Sequence, residues 1–267
     1  MKPAVERLSS WPCEVGGATR YMFALAALER FGPEVVRVAR RGEAWSCCVV
    51  LPGKVVVPCG DADVIASARS PVRRWRLVVS DAAAVDAMIG AADRDPGVRV
   101  HHQRLLQVDP QRLPDATTLP DPGLRRATLV DLDALATLAV DLHVDDGFGP
   151  DPGPSGLRGY AARIEESIKR GVVWCVGPHG GPVAKVERSV SSDRYGVQLS
   201  GIVVSRAVRG QHVGRAAVAA AVRGALAEGG PGRIVSLHVR AANEPALRAY
   251  EAAGFVDREE WRLAVRP

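Results

Sequence analysis

The stretch that decides the fold runs from Val197 to Phe255. It reads VQLSGIVV (Val197–Val204), RGQHVGR (Arg209–Arg215), an Ala-rich run, RIVSLHV (Arg233–Val239) and NEPALRAYEAAGF (Asn243–Phe255). β-Branched residues crowd Val197–Val204 and Arg233–Val239, so both read as strands. Ala216–Glu228 lies between them and stops at Gly229-Gly230, as a helix would. Asn243 is a favoured N-cap, Pro245 falls in the first turn where its missing N–H costs nothing, and Gly254 suits a left-handed C′ position. Asn243, Ala246 and Tyr250 recur at helical spacing and share one face. The order is strand, glycine-containing loop, helix, strand: a βαβ unit with its loop at a helix N-terminus.

That loop has the physics of an anion site. The first N–H groups of a helix lack intrahelical partners and lie at the positive end of its dipole. Arg209 and Arg215 add charge, and Gly210 and Gly214 let backbone approach a guest such as a pyrophosphate or phosphodiester. The loop is poorer in glycine than a Walker loop or a dinucleotide fingerprint. Taken alone, it reads equally well as a solvated turn with a helix cap.

Together, the loop and the Asn-x-x-Ala-x-x-x-Tyr-x-x-x-Gly-Phe segment closely resemble the GNAT superfamily of acyl-CoA-dependent N-acetyltransferases, over roughly residues 124–265. The resemblance implies a mixed, mostly antiparallel twisted sheet flanked by helices, an α/β (α+β) fold. It implies that Arg209, Gly210, Gln211, His212, Val213, Gly214 and Arg215 wrap the CoA pyrophosphate, while backbone of Ile202, Val203 and Val204 pairs with the pantetheine arm. Asn243 would bind or orient that arm, though N-capping explains it almost as well. His212 stands where the family's first glycine lies; His tolerates a positive φ at modest cost, so the turn is expected to survive.

Amine acylation needs a neutral attacking amine, donors for the tetrahedral oxyanion and a proton for the departing thiolate. The resemblance makes Tyr250 the general acid, since a phenol is protonated at neutral pH; packing against the carrier arm is the alternative. Pro182–Val190 reads as a strand with Glu187 at its middle, and many GNAT enzymes carry a Glu there as base, acting directly or through water. An edge-strand Glu paired with Lys185 or Arg188 would read the same. His143 and Asp145-Asp146, after the first helix of this half, could line the acceptor site. His238, on the central strand, could also do so and titrate near neutrality.

Composition bounds the rest. The chain has 267 residues, enough for two modest domains, and its 47% hydrophobic content is ordinary. No apolar run is long enough for a membrane helix and no signal-peptide pattern opens the chain. Five cysteines (13, 47, 48, 59 and 175) show no metal-ligand spacing, so no metal is expected, and a reducing cytoplasm fits. The net charge of +5 clusters at Arg37–Arg41, Arg69–Arg76 and Arg125–Arg126 without interleaved aromatics, which argues against nucleic acid. It suits acetyl-CoA or another acyl-CoA, or an acidic acyl-carrier protein bearing phosphopantetheine. A small-molecule amine is the expected acceptor, and a monomer or homodimer the expected state. Three functions follow: acyl transfer from CoA to an amine, the same chemistry from a carrier protein, or a non-catalytic CoA-binding module.

Asp109–Gly123, with Pro110, Pro114, Pro120 and Pro122, reads as a linker, giving domains at 1–108 and 124–267. The first half predicts a helix at Thr19–Arg30, strands at Val35–Val38, Ser46–Leu51, Lys54–Val57 and Trp75–Val79, and a helix at Asp81–Gly90. Pro52-Gly53 marks a hairpin turn. This half carries no motif; it could be a degenerate copy of the same fold, as in two-lobed actinobacterial members that the chain resembles overall. The second half predicts a strand at Leu124–Leu129, a helix at Asp131–Val144, a Gly/Pro loop at Gly147–Gly156 over the acceptor pocket, and a helix at Leu157–Arg170.

Overall fold

The computed structural model describes residues 4–6, 19–68, 75–90, 97–229 and 232–266. The chain forms two compact units: Met1–Leu106 with His238–Ala242 and Asp257–Pro267, and Gln107–Leu237 with Asn243–Val256. We call them units 1 and 2. Cys13 and Arg69–Arg74 lie outside the described residues.

Unit 1 runs β1 (Ala4–Glu6), α1 (Met22–Phe31), β2 (Val36–Arg41), β3 (Ala44–Leu51), β4 (Val55–Gly60), α2 (Ala62–Ser67), β5 (Leu77–Asp81), α3 (Ala82–Ile89) and β6 (Arg99–Val108). β1 to β4 pair antiparallel in chain order, and β4 pairs parallel with β5. The hairpin at Pro52-Gly53 forms as predicted, with Gly53 at φ 78°. β1, α2 and β6 escape sequence reading. α2 is too short for a periodic pattern. The outer part of β6, Arg99-Val-His-His-Gln-Arg, is mostly polar and only half-buried.

Unit 2 runs β7 (Arg125–Arg126), α4 (Leu132–Asp145), α5 (Gly153–Lys169), β8 (Val173–Val176), β9 (Ala184–Ser192), β10 (Gly196–Val204), α6 (Val213–Ala227), β11 (Ile234–Arg240), α7 (Glu244–Glu251) and the start of β12 (Phe255–Val265). β7, β8, β9 and β10 pair antiparallel in turn, and β10 pairs parallel with β11 from Gly196–Ile234 to Leu199–Leu237. This is the mixed, mostly antiparallel sheet that the resemblance implies. α4 turns Leu135 and Leu138 into a core with Ile164 and Ile168 of α5 and Val173, Cys175 and Val203 of the strands. α6 buries Ala216, Ala217, Ala219, Ala221 and Ala225, whose small side chains let the helix lie close to the sheet.

The remainder of β12 belongs to unit 1. Trp261 to Val265 pair antiparallel with Asp81 to Leu77 of β5. Arg20 and Glu259 bridge at 2.6 Å, and Arg104 meets Asp257. The run Asp257-Arg258-Glu259-Glu260 conceals this strand in the sequence, because its ion-pair partners lie far away along the chain.

Several predicted bounds move. The strand expected at Leu124–Leu129 is cut to two residues, because Leu129–Asp131 winds into a 3-10 turn. Asp131 is fully buried and closes a capping box with Thr128, while Arg125 grips both its oxygens at 2.8 Å. The Arg125 hydrogen bonds, aided by the Thr128 and Gly180 N–H groups, outweigh burial and hold its carboxyl far below the usual range. The loop expected to end at Gly156 ends earlier. Asp151 accepts from Gly153 N–H at 2.8 Å, and Pro154 sits harmlessly in the first turn of α5. The Pro-rich segment 109–123 is held within unit 2: Asp109 N–H donates to Gly254 O at 2.9 Å and Arg223 reaches Pro114 O.

Candidate active site

α6 begins at His212, which adopts φ 62° and ψ 4° and so makes the left-handed turn a glycine would make. Among the described residues no side chain caps this helix, which leaves its first N–H groups for a guest. Gly210, at φ 79°, makes the preceding bend. Gly214 serves packing instead of ligand approach: a Cβ there would stand 3.0 Å from Val204 Cγ2. Arg215 donates to Ala252 O at 3.2 Å, tying the start of α6 to the end of α7. Arg209 is committed to protein partners, donating to Val204 O at 3.0 Å and to Asp145 at 2.6 Å. Gln211 is exposed, and Val213 opens the helix.

Asn243 caps α7, accepting from Ala246 N–H at 3.2 Å. One helical face below it, Tyr250 is buried, its ring 6.0 Å from Phe255. Burial, and then the charge of Asp146, raise its phenol well above the ordinary value, so it remains protonated at neutral pH. Val203 faces the α4–α5 core, so only its backbone is available to a ligand. β10 runs on through Ile202 to Val204, past the end of its ladder with β11.

A cavity of about 670 Å³ opens between α4, α5 and the β9–β10 pair. Glu187 lines it, with Ser167 Oγ donating to one carboxylate oxygen at 2.7 Å and Lys185 Nζ 2.9 Å from the other. Burial works to raise the Glu187 carboxyl, but the Lys185 charge, both hydrogen bonds and Arg170 outweigh it and hold it below the ordinary value. Both readings of Glu187 therefore meet in one residue, which is ion-paired and also faces a cavity. Lys185 is 3% exposed and fits because Gly201 has no side chain: a Cβ there would stand 2.5 Å from Nζ. Gly201 has φ 53° and sits where the β9–β10 register slips.

His143 lines the same cavity, beside Phe148 and Tyr160. Asp145 does not; Arg206 at 2.8 Å and Arg209 at 2.6 Å draw it to the loop before α6. Burial alone would raise its carboxyl, but the two arginines hold it below the ordinary value. His238 is likewise placed elsewhere, in an aromatic stack of unit 1 with Trp261 at 4.6 Å and Phe23 at 6.0 Å. Burial pushes its imidazole down to about 3, so it is neutral through the neutral range, contrary to the sequence expectation. Lys185, Ser167 and Tyr160 join the cavity lining without forming part of the expected site. The Lys-x-Glu spacing signals a shared strand face, whereas nothing local marks Ser167 or Tyr160.

The acetyltransferase (GNAT) family profile matches residues 151–255, which include the α5, β9 and β10 side of the cavity, the α6 loop and Tyr250. Residues 151–255 are therefore similar to the GNAT acetyltransferases. Its fold is similar over nearly its whole length to an acetyltransferase from the GNAT family of Colwellia psychrerythraea, at 13% identity and TM-score 0.56, covering 98% of each chain. A GCN5-related N-acetyltransferase from Kribbella flavida matches at 19% identity and TM-score 0.56, covering 94% of this chain and 95% of that one. One from Sphaerobacter thermophilus matches at 15% identity and TM-score 0.50, covering 100% and 96%. No curated protein sequence matches significantly. The family matched over those residues is one of acetyltransferases.

Proposed function

We propose that this chain moves an acetyl or other acyl group from acyl-CoA to an amine held in the unit 2 cavity, by direct attack within a ternary complex. The observation that carries the reading is the uncapped N-terminus of α6, reached through the left-handed His212 at the end of the strand that floors the cavity. Backbone N–H groups at 210–215 would hold the pyrophosphate, and backbone of Ile202–Val204 the pantetheine arm. Tyr250, kept protonated by burial, would supply the proton to the departing thiolate. Glu187, held ionised beside Lys185, would draw in the ammonium of the acceptor, a small-molecule amine. Two donors already occupy Glu187, which suits it better to holding a cation than to taking its proton.

Calorimetry with acetyl-CoA, followed by thiol release on addition of amines, tests the reading. Micromolar to millimolar binding and amine-dependent release are expected, with release falling steeply in Tyr250→Phe. Turnover untouched by that change would remove the phenol from the mechanism.

A phosphopantetheinylated carrier protein is the second donor reading. It is favoured by one observation: Arg209 is spent on Asp145 and Val204, leaving less charge for a pyrophosphate. In that case a loaded carrier supports turnover while free acetyl-CoA binds poorly. Efficient turnover of acetyl-CoA refutes it.

A further inference from the structure

We infer that His143, oriented by Tyr160, is the group that takes the proton from the acceptor amine. The inference rests on the acyl-transfer reading above and names a residue for the step that Glu187 is poorly placed to perform. Each Glu187 oxygen already accepts a hydrogen bond, from Ser167 and from Lys185. Lys185 is buried and ion-paired, so it accepts nothing. His143 is the imidazole that lines this cavity.

Its surroundings position it as a base. Tyr160 Oη lies 2.8 Å from His143 Nδ1, and Phe148 stacks beside the ring at 6.1 Å. The Tyr160 ring is itself held by the Arg163 guanidinium, 4.3 Å from its centroid. A neutral imidazole has one donor nitrogen and one acceptor nitrogen. With Nδ1–H donating to the phenol oxygen, Nε2 carries the free lone pair. Gly149 keeps that atom clear, since a Cβ there would stand 3.2 Å from Nε2. Gly149 has no left-handed φ to account for it, so the space in front of the ring is what its missing side chain provides.

The charged groups that share the cavity are Arg163 and Glu166 from α5, Arg170 at its C-cap, and Lys185 and Glu187 from β9. On α4 itself, Asp141 and Asp145 are turned to Arg206.

The step balances without a further reagent. The acceptor ammonium gives one proton to Nε2, and the freed lone pair forms the C–N bond at the thioester carbonyl. The C–S bond then breaks, the thiolate takes the Tyr250 proton, and the adduct nitrogen sheds its second proton to restore the phenol. Amide and thiol leave, and His143 returns its proton to water.

Imidazole ¹⁵N NMR, with His143→Gln to assign the signal, tests the geometry directly. The Nδ1–H tautomer is expected in the wild type, and Tyr160→Phe should release it toward Nε2–H. Acetyl-CoA turnover with benzylamine, spermidine, L-phenylalanine and a short peptide tests the chemistry. His143→Gln should lower kcat/KM by about 10²-fold or more and abolish the acid limb of its pH profile. Tyr160→Phe should lower kcat with little change in KM, and Glu187→Gln should raise KM while the acid limb remains. A wild-type Nε2–H tautomer, or an acid limb that survives His143→Gln, overturns the inference. If the wild type acetylates none of these amines, the acyl-transfer reading is what fails, and the tautomer still decides whether His143 presents a free Nε2 to the cavity.

Discussion

Units 1 and 2 follow one plan and differ where chemistry is concerned. Each has a strand, helical cover, three antiparallel strands, a helix, a strand paired parallel to the third, and a second helix. In unit 2, residues 205–212 separate β10 from the fifteen-residue α6, whose N-terminus is left open. In unit 1, Gly60 leads directly to Asp61, whose carboxylate accepts Val64 N–H at 2.9 Å and closes the six-residue α2. The next helix repeats the contrast. Asn243 and Asp81 cap α7 and α3 in the same way, at 3.2 and 3.0 Å to the N–H three residues on. Seven residues after the cap, unit 2 has Tyr250 and unit 1 has Met88. The scaffold tolerates either arrangement: unit 2 has the phenol and the uncapped α6 where unit 1 has Met88 and the Asp61-capped α2.

The largest effect should come from the Tyr250 and Met88 pair. Tyr250→Phe should lower acetyl transfer by about 10²- to 10⁴-fold, whereas Met88→Leu should leave the rate unchanged and cost less than about 1.5 kcal/mol of stability. Comparable losses from both would erase this contrast between the units. Asp131→Ala should destabilise by about 3 kcal/mol in denaturant melts, because it strands Arg125 beside a buried, emptied cap. The pH dependence of the Asp131 contribution has a definite sign. Its folded carboxyl lies below the ordinary value, so the stabilisation is complete above about pH 5 and fades as acid protonates the group. Stability that is flat from neutrality into strong acid would contradict it. Asp61→Ala should cost about 1 kcal/mol, visible as a lower Tm with no change in acetyl-CoA affinity. Smallest of all, His212→Gly should keep the α6 turn and gain a few tenths of a kcal/mol at a left-handed position. A weakened acetyl-CoA isotherm in that variant would show that the imidazole itself touches the donor.

The parts legible in the sequence are those where local spacing and tertiary role coincide. Asn243, Pro245, Tyr250 and Gly254 describe their helix completely, and Val197–Val204 is β-branched enough to be a strand in any context. Leu132, Leu135, Leu138 and Leu142 give the buried side of α4 correctly. What escaped depends on distant partners. β12 is obscured by charges that Arg20 and Arg104 satisfy, and β8 is a four-residue strand with no alternation. The site divides in the same way. Glu187 is visible as a charge inside a strand, but Ser167, from another element, fixes its role. Asp145 and His238 look like site residues because they are polar near the motifs. Two arginines claim the first and an aromatic stack claims the second.

The route of β12 carries a consequence for biosynthesis. Arg20 and Glu259 are 239 residues apart in sequence, and β5 gains its antiparallel neighbour only from Trp261–Val265. As the chain leaves the ribosome, the first hundred residues emerge with one strand edge uncovered, and they wait for nearly all the rest to be made. Unit 2 can assemble its own ladder from contiguous strands during that interval. Unit 2, although later in sequence, is thus positioned to finish folding before unit 1.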